Sequence, residues 1–112
     1  MKQNIEDRDK VNELTSSYHD WLIDSLKNKK RAALYLQVAL DEYQEDGNSE
    51  ALLLALRNVT EAQGGMRLLA QKSHLNRESL YKTLSRKGNP KLQTLGALLK
   101  GLGFELQIKP AG

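Results

Sequence analysis

Apolar residues recur at helical spacing along most of this chain. Leu36, Leu40 and Tyr43 follow one another at intervals of four and three residues, and the segment from 49 to 63 repeats these intervals. Such spacing places the side chains on one face of a helix. The pattern therefore predicts an all-α helical bundle, with helices over residues 17–27, 31–45, 49–63, 66–72, 76–85 and 90–101.

Glycine and asparagine mark the ends of these predicted helices. Gly64-Gly65 should end the third helix, because glycine readily takes the left-handed geometry of a helix end. Asn48 or Ser49 should cap the same helix at its start. Asn89-Pro90 should begin the last helix, with asparagine as the cap and proline at the first helical position.

The segment from Phe104 to Ile108 alternates apolar and polar residues, which indicates a short C-terminal β-strand. A lone strand is not stable in water. We therefore expect this strand to pair with another chain, either a second copy or a different protein. The alternative is an extended tail that packs Phe104, Leu106 and Ile108 on the helices, and both interpretations are open.

The segment from Met66 to Ser85 has the pattern of two short helices joined by a tight turn. The small Ala70 would let the two helices cross closely. Asn76 should cap the second helix, and Leu75 with Leu80 should form a hydrophobic staple across that cap. Leu80 and Leu84 would then face the core, so that the second helix presents a polar outer side.

The outer side of this second helix and the loop after it carry residue types that suit a DNA groove. Asn76 and Arg77 can form paired hydrogen bonds with base edges, and Lys82 can hold phosphates. Asn89 and the start of the next helix could bind a further phosphate. The candidate DNA-binding residues are Asn76, Arg77, Glu78, Tyr81, Lys82, Ser85, Arg86, Lys87, Asn89 and Lys91. The alternative is an ordinary corner between two helices.

These patterns divide the chain into four regions. Residues 1–16 are polar without periodicity and are expected to be a flexible N-terminal arm. Residues 17–63 form N-terminal helices that pack on the DNA-binding part. Residues 64–103 form the helix-turn-helix DNA-binding region, and residues 104–112 form the C-terminal strand and tail.

Charge is distributed unevenly between the two halves of the chain. Residues 1–65 carry eight basic and 12 acidic residues, whereas residues 66–112 carry nine basic and two acidic residues. The basic half suits a polyanion, and the opposite signs indicate two different partners. The chain has 112 residues, enough for one compact domain. We expect a cytoplasmic protein without membrane contact, because no apolar run approaches the length of a membrane span or signal peptide.

Enzymatic and metal chemistry find little support in the sequence. The chain contains no cysteine, which excludes disulfides, cysteine-ligated zinc and thiol catalysis. His19 and His74 are far apart and lack a spaced carboxylate partner, so we expect no metal site. The Ser79–Lys82 match to the S-x-x-K pattern stands without the other motifs of that enzyme class. We expect no catalytic residue and no cofactor.

From Tyr35 onward the chain resembles HigA-like antidote proteins of chromosomal toxin–antitoxin pairs. The segment from Arg77 to Leu84 and the following Gly88-Asn-Pro90 carry most of the resemblance. It implies a Cro/repressor-type, lambda-repressor-like helix-turn-helix. Two positions depart from the usual pattern: His74 stands where the turn usually has glycine, and Thr83 stands where repressors often have an apolar residue.

The resemblance implies an antitoxin with two activities. It would neutralise a RelE-like toxin encoded beside it, and it would bind double-stranded operator DNA as a transcriptional autorepressor. We also expect a homodimer, since operators usually mirror the two-fold symmetry of the protein. The acidic N-terminal half could contact a basic toxin, or it could form the dimer interface. Two other hypotheses are open: a stand-alone phage-type repressor without a toxin, and a helical adaptor that binds only protein.

Overall fold

The computed structural model of this chain describes the backbone of residues 5–112 and the side chains of residues 14–112. Its elements are helices, which confirms the predicted all-α bundle. In chain order they are α1 (Ile5–Ser25), α2 (Lys29–Asp46), α3 (Glu50–Ala62), α4 (Met66–Ser73), α5 (Arg77–Thr83) and α6 (Leu92–Gly101). Among the described helices, none combines the length and the apolarity that crossing a membrane requires.

Local hydrogen bonds explain where the central helices begin and end. The Asn28 side chain accepts a bond from the Arg31 amide and caps α2. Gly47 ends that helix in the left-handed region, with φ at 71°. The Asn48 side chain, one of the two predicted caps, accepts a bond of 3.0 Å from the Glu50 amide. Ser49, the other predicted cap, is the N-cap residue of α3 but makes no side-chain bond to the helix.

Helix α3 lies at the centre of the core. Its Leu53, Leu56 and Val59 side chains are almost fully buried. Helices α1 and α2, which precede α3 in the chain, both pack on it, and so does α4, which follows it. Burying a leucine or valine side chain stabilises a fold by about 1.5–3 kcal/mol. The buried Asn58 is satisfied by a bond of 3.0 Å from its amide nitrogen to the hydroxyl of Tyr35, which links α3 to α2.

Two predicted helix starts need correction. The first helix already includes Ile5, twelve residues before the predicted start at residue 17, so residues 5–16 of the segment assigned to a flexible arm are helical, and residues 1–4 lie outside the described part. The last helix begins at Leu92 rather than at Pro90. Lys91 is its N-cap residue and has an extended backbone with ψ at 156°, so the chain enters helical geometry only after Lys91 and the predicted Asn89 cap is not formed.

The predicted C-terminal β-strand is wrong for the chain as described. Residues 104–112 have no regular structure, and no strand is present within residues 5–112. The physical reason is that no other segment offers a backbone edge with which this segment could pair. Phe104 packs against the core, and its amide donates a bond of 2.7 Å to the Leu99 carbonyl. Leu106 and Ile108 remain exposed, so the alternative of a packed tail holds for Phe104 alone among the three.

Candidate nucleic-acid interface

Helices α4 and α5 form a corner around a tight turn. Leu69 of α4 and Leu80 of α5 are buried, and Leu75 packs against the same cluster from the turn. His74, which ends α4, has φ at 59° and ψ at 24°, in the left-handed region. It is the one non-glycine residue with positive φ in the described chain. The turn thus takes the geometry that glycine favours while carrying a histidine side chain.

The start of α5 is fixed by Asn76, as predicted. The Asn76 side-chain oxygen accepts bonds of 2.7 Å from the Glu78 amide and 3.4 Å from the Ser79 amide. These bonds satisfy two of the backbone N–H groups that the first turn of a helix leaves unpaired. They also occupy the oxygen that a paired contact with adenine would use. Only the side-chain NH2 group of Asn76, a donor, is left for a ligand.

The outer side of α5 is exposed along its whole length. All ten candidate DNA-binding residues are exposed: Asn76, Arg77, Glu78, Tyr81, Lys82, Ser85, Arg86, Lys87, Asn89 and Lys91. The inner side is formed by Leu80 and Leu84, with exposed fractions of 0% and 1%. The division between buried leucines and exposed polar side chains follows the sequence pattern, while the binding role of the exposed residues stays a prediction.

A cation and an aromatic ring meet on this outer side. The guanidinium carbon of Arg77 lies 5.8 Å from the centre of the Tyr81 ring. Tyr81 is 53% exposed and borders a surface cavity of about 590 Å³ between α3 and α5. Tyr81 therefore faces solvent beside Arg77 and leaves the packing between helices to Leu84.

Two arginines, one on α3 and one just after α5, link α3 to the C-terminal end of α5. Arg57 of α3 donates a hydrogen bond from Nη1 to the Leu84 carbonyl, at the C-terminal end of α5. Arg86 donates from Nε to Oε1 of Glu50, at the start of α3. This hydrogen bond, together with the charge of the Glu50 carboxylate, raises the pKa of Arg86. The positive charge of Arg86 is therefore partly balanced by the Glu50 carboxylate, which distinguishes Arg86 from the other basic candidates.

The loop between α5 and α6 is held close to the end of α5. The Gly88 amide donates a bond of 2.9 Å to the Ser85 carbonyl. A Cβ atom at Gly88 would lie 1.9 Å from the Thr83 carbonyl oxygen, so only glycine fits there. At the opposite end, Gly101 allows α6 to approach α4, since a Cβ atom there would lie 3.0 Å from the Leu69 side chain. Gly88 thus allows the loop to lie against the end of α5, and Gly101 allows α6 to lie against α4.

Sequence reasoning missed one exposed cation and one structural arginine. Arg67 is exposed in the first turn of α4, whose N-cap residue Gly65 provides no side-chain bond to the helix amides. The signal for it was the Gly64-Gly65 break, which places Arg67 beside unpaired N–H groups. Arg57 had no local signal, because its partner Leu84 lies 27 residues away.

Chemically, this candidate interface presents hydrogen-bond donors of the kind that could bind an anion. Exposed cations lie in the first turn of α4, on the outer side of α5 and in the loop before α6. They are Arg67, Arg77, Lys82, Lys87 and Lys91. The N-termini of α4 and α6 have no side-chain cap, which leaves backbone N–H groups available at both. A helix N-terminus of this kind favours phosphate.

Comparison with known proteins identifies the family. The family model described as "Probable addiction module antidote protein" matches residues 17–110, which include the C-terminal part of α1 and all of α2 to α6. An uncharacterized protein of Haemophilus influenzae strain Rd is 34% identical over 74 residues, which are 66% of this chain and 75% of that protein. No solved structure matches. The resemblance to antidote proteins is thereby confirmed, and the chain belongs to the family of probable addiction module antidote proteins.

Proposed function

We propose that this chain is the HigA-like antitoxin of a type II toxin–antitoxin module. In this role it neutralises a RelE-like toxin and represses its own operon by binding operator DNA. Its activity is binding without catalysis, and it acts in the cytoplasm, where operator DNA is found. Membership of the antidote family supports the antitoxin role.

The observation that carries the DNA-binding half of the proposal is the two-sided character of α5. Leu80 and Leu84 are buried, whereas Arg77, Tyr81 and Lys82 are exposed on the opposite side. In our proposal α4 and α5 act as a helix-turn-helix of the Cro/repressor type, with α5 in the major groove. The first residues of such a recognition helix contact base edges. Arg77 is the first residue of α5, and its guanidinium N–H groups take no part in the cap that Asn76 forms. Of the two base-reading candidates, Arg77 is therefore the one whose side chain is not used in capping.

The elements on either side of α5 support contact with the DNA backbone. The uncapped N-termini of α4 and α6 both present backbone N–H groups, accompanied by Arg67 and Lys91 respectively. Phosphate contacts of this type fix the register of a protein on the duplex without reading sequence. Glu78, near the start of α5, would face the bases, where a carboxylate accepts from cytosine.

We further propose that the operator-bound form is a homodimer. Helix-turn-helix repressors bind two half-sites about one DNA turn apart, about 34–36 Å, and operator symmetry mirrors the two-fold symmetry of the protein. One copy of this chain offers a single α5, whose seven residues span about 10 Å. Two copies are therefore needed to read both half-sites.

The proposal is tested by measuring both activities with the full chain. Fluorescence anisotropy should show binding to the DNA upstream of its own gene at least 100-fold tighter than to a scrambled duplex at the same salt concentration. Co-expression should restore growth to cells that produce the basic protein encoded beside it. Binding to the operator without rescue would favour the stand-alone repressor, and rescue without operator binding would favour the protein-only adaptor.

A further inference from the structure

Helix α1 carries an apolar stripe that faces solvent. Leu14, Tyr18 and Trp21 are spaced by four and three residues, and their exposed fractions are 71%, 62% and 63%. The rings of Tyr18 and Trp21 lie 5.9 Å apart between centroids. Scattered apolar residues are ordinary on a protein surface, but a contiguous stripe with two large aromatic rings marks an interaction site. We call these three residues the α1 stripe.

The packing of α1 in the fold uses a different side of the helix. Leu22, and Leu26 directly after the helix, contact the core, and His19 approaches Glu61 of α3 with a distance of 3.3 Å between Nε2 and Oε2. Gln63, the C-cap residue of α3, donates a bond of 2.8 Å to the Leu26 carbonyl. These contacts attach α1 to the bundle without using the α1 stripe.

Charge indicates what kind of partner would cover the α1 stripe. The sequence of α1 contains six acidic residues and two basic residues, which makes it the most acidic helix of the chain. Asp20 and Asp24, on the described part of α1, are both exposed. Such a helix attracts a basic surface and is repelled by another acidic one.

We propose that α1 is the docking helix for a basic protein partner, with Trp21 and Tyr18 as its anchors. This inference rests on the proposed antitoxin function, and the partner is then the toxin. The helix lies in an apolar groove of the partner, in the manner of an amphipathic helix read at positions i, i+4 and i+7. Basic side chains at the rim of that groove face the carboxylates of α1. Tryptophan and tyrosine are the residue types that most often dominate binding energy at such interfaces.

The same observations argue against two other occupants. A second copy that packed its α1 against this one would bring together two helices of net charge −4, judged from their Asp, Glu, Lys and Arg residues. A membrane surface rich in anionic lipid would repel an acidic helix, since such surfaces attract basic segments. In addition, α1 packs on α3 and α5 packs on α4, so the α1 stripe and the DNA-facing side of α5 belong to different elements.

The test is a calorimetric titration of the full chain with the basic protein encoded beside its gene. Tyr18→Ala and Trp21→Ala should each weaken binding at least tenfold, and Asp20→Lys with Asp24→Lys should weaken it further in low salt. Leu34→Ala and Val38→Ala are matched controls, because these apolar residues are similarly exposed on α2, at 67% and 50%. The controls should leave the affinity unchanged. Because every substituted residue is exposed, circular dichroism should show a folded protein in each case.

The possible outcomes separate this inference from the proposed function. If the wild-type chain binds the neighbouring protein and the two aromatic variants bind it equally well, the α1 stripe is not the docking surface, although the antitoxin role stands. If the wild-type chain does not bind that protein, the antitoxin role fails and the docking helix fails with it. If Trp21→Ala instead converts a homodimer into a monomer, a second copy covers the stripe and the inference is overturned.

Discussion

The guanidinium carbon of Arg77 lies 5.8 Å from the centre of the Tyr81 ring, one helical turn further along α5. A cation over an aromatic face gains about 0.5–1 kcal/mol at an exposed site. The ring therefore restrains the Arg77 side chain before any ligand arrives. Restraint of this kind lowers the entropy that a long side chain loses on binding. Arg77 thus combines an exposed position at the start of α5 with partial preorganisation.

The first prediction concerns Arg77 as a base-reading residue. Arg77→Ala should weaken operator binding by about 1–3 kcal/mol, because a paired contact with guanine is lost, and it should relax sequence preference at one position. Anisotropy titrations with the operator and with single-base variants measure both effects. An affinity equal to that of the wild-type chain at matched salt concentration would remove Arg77 from the interface.

Lys82 provides the matched comparison for Arg77. It lies on the same exposed side of α5 and carries the same charge, but we assign it to phosphate. Lys82→Ala should weaken binding to all sequences about equally and should reduce the slope of log affinity against log salt by about 1. If Arg77→Ala and Lys82→Ala showed the same loss of sequence preference, the separation of base and phosphate contacts along α5 would be refuted.

The second prediction separates the capping role of Asn76 from a role in DNA binding. Asn76→Ala should lower the free energy of unfolding by about 0.5–2 kcal/mol, because two amides at the start of α5 lose their acceptor. Asn76→Ser keeps a capping oxygen and should restore most of that stability. Urea unfolding measures the stability, and anisotropy measures the affinity for the operator. An Asn76→Ser variant that is fully stable yet binds DNA more than tenfold more weakly would show that Asn76 also reads bases.

Much of the fold was predictable because helical periodicity reports burial. The stripe of Leu36, Leu40 and Tyr43 predicted α2, although only Leu36 of the three is buried and Tyr43 is exposed. Leu80 and Leu84, both buried, predicted the inner side of α5. The same logic explains the error at α1, which includes residues 5–16 although this segment lacks apolar periodicity. A pattern of buried positions cannot indicate a helix whose apolar residues, such as Leu14, face solvent.

The contacts that position the candidate site were much less predictable. Arg57 donates to the Leu84 carbonyl and Arg86 pairs with Glu50, and these partners are separated by 27 and 36 residues. No short-range pattern encodes such pairs, because they form only after α3 and α5 have packed. The C-terminal strand failed for a related reason: alternation at residues 104–108 describes how side chains are arranged, but a strand also needs a second backbone.

The third prediction concerns the left-handed backbone of His74. A side chain in this region costs about 1–2 kcal/mol, whereas glycine avoids that cost but loses about 0.5–1 kcal/mol through its greater freedom in the unfolded chain. His74→Gly should therefore raise the free energy of unfolding by about 0.5–1 kcal/mol. His74→Ala serves as the control and should give no such gain, because alanine is strained in the same way. Equal stability of the glycine and alanine variants in urea would show that the turn is not strained.

The fourth prediction compares two glycines, Gly88, where a Cβ atom would collide with the backbone, and Gly96, where a Cβ atom has free space. Gly88→Ala should destabilise the fold by about 1–3 kcal/mol, because its Cβ atom would lie 1.9 Å from the Thr83 carbonyl oxygen and the loop would have to move. That loop carries Lys87 and Lys91, so affinity for the operator should fall as well. Gly96→Ala is the matched control, since a Cβ atom there meets nothing within 4 Å and alanine favours the interior of α6. It should stabilise the protein by about 0.5–1 kcal/mol with unchanged DNA binding. A Gly88→Ala variant as stable as the wild-type chain would mean that the loop between α5 and α6 is not held against the end of α5.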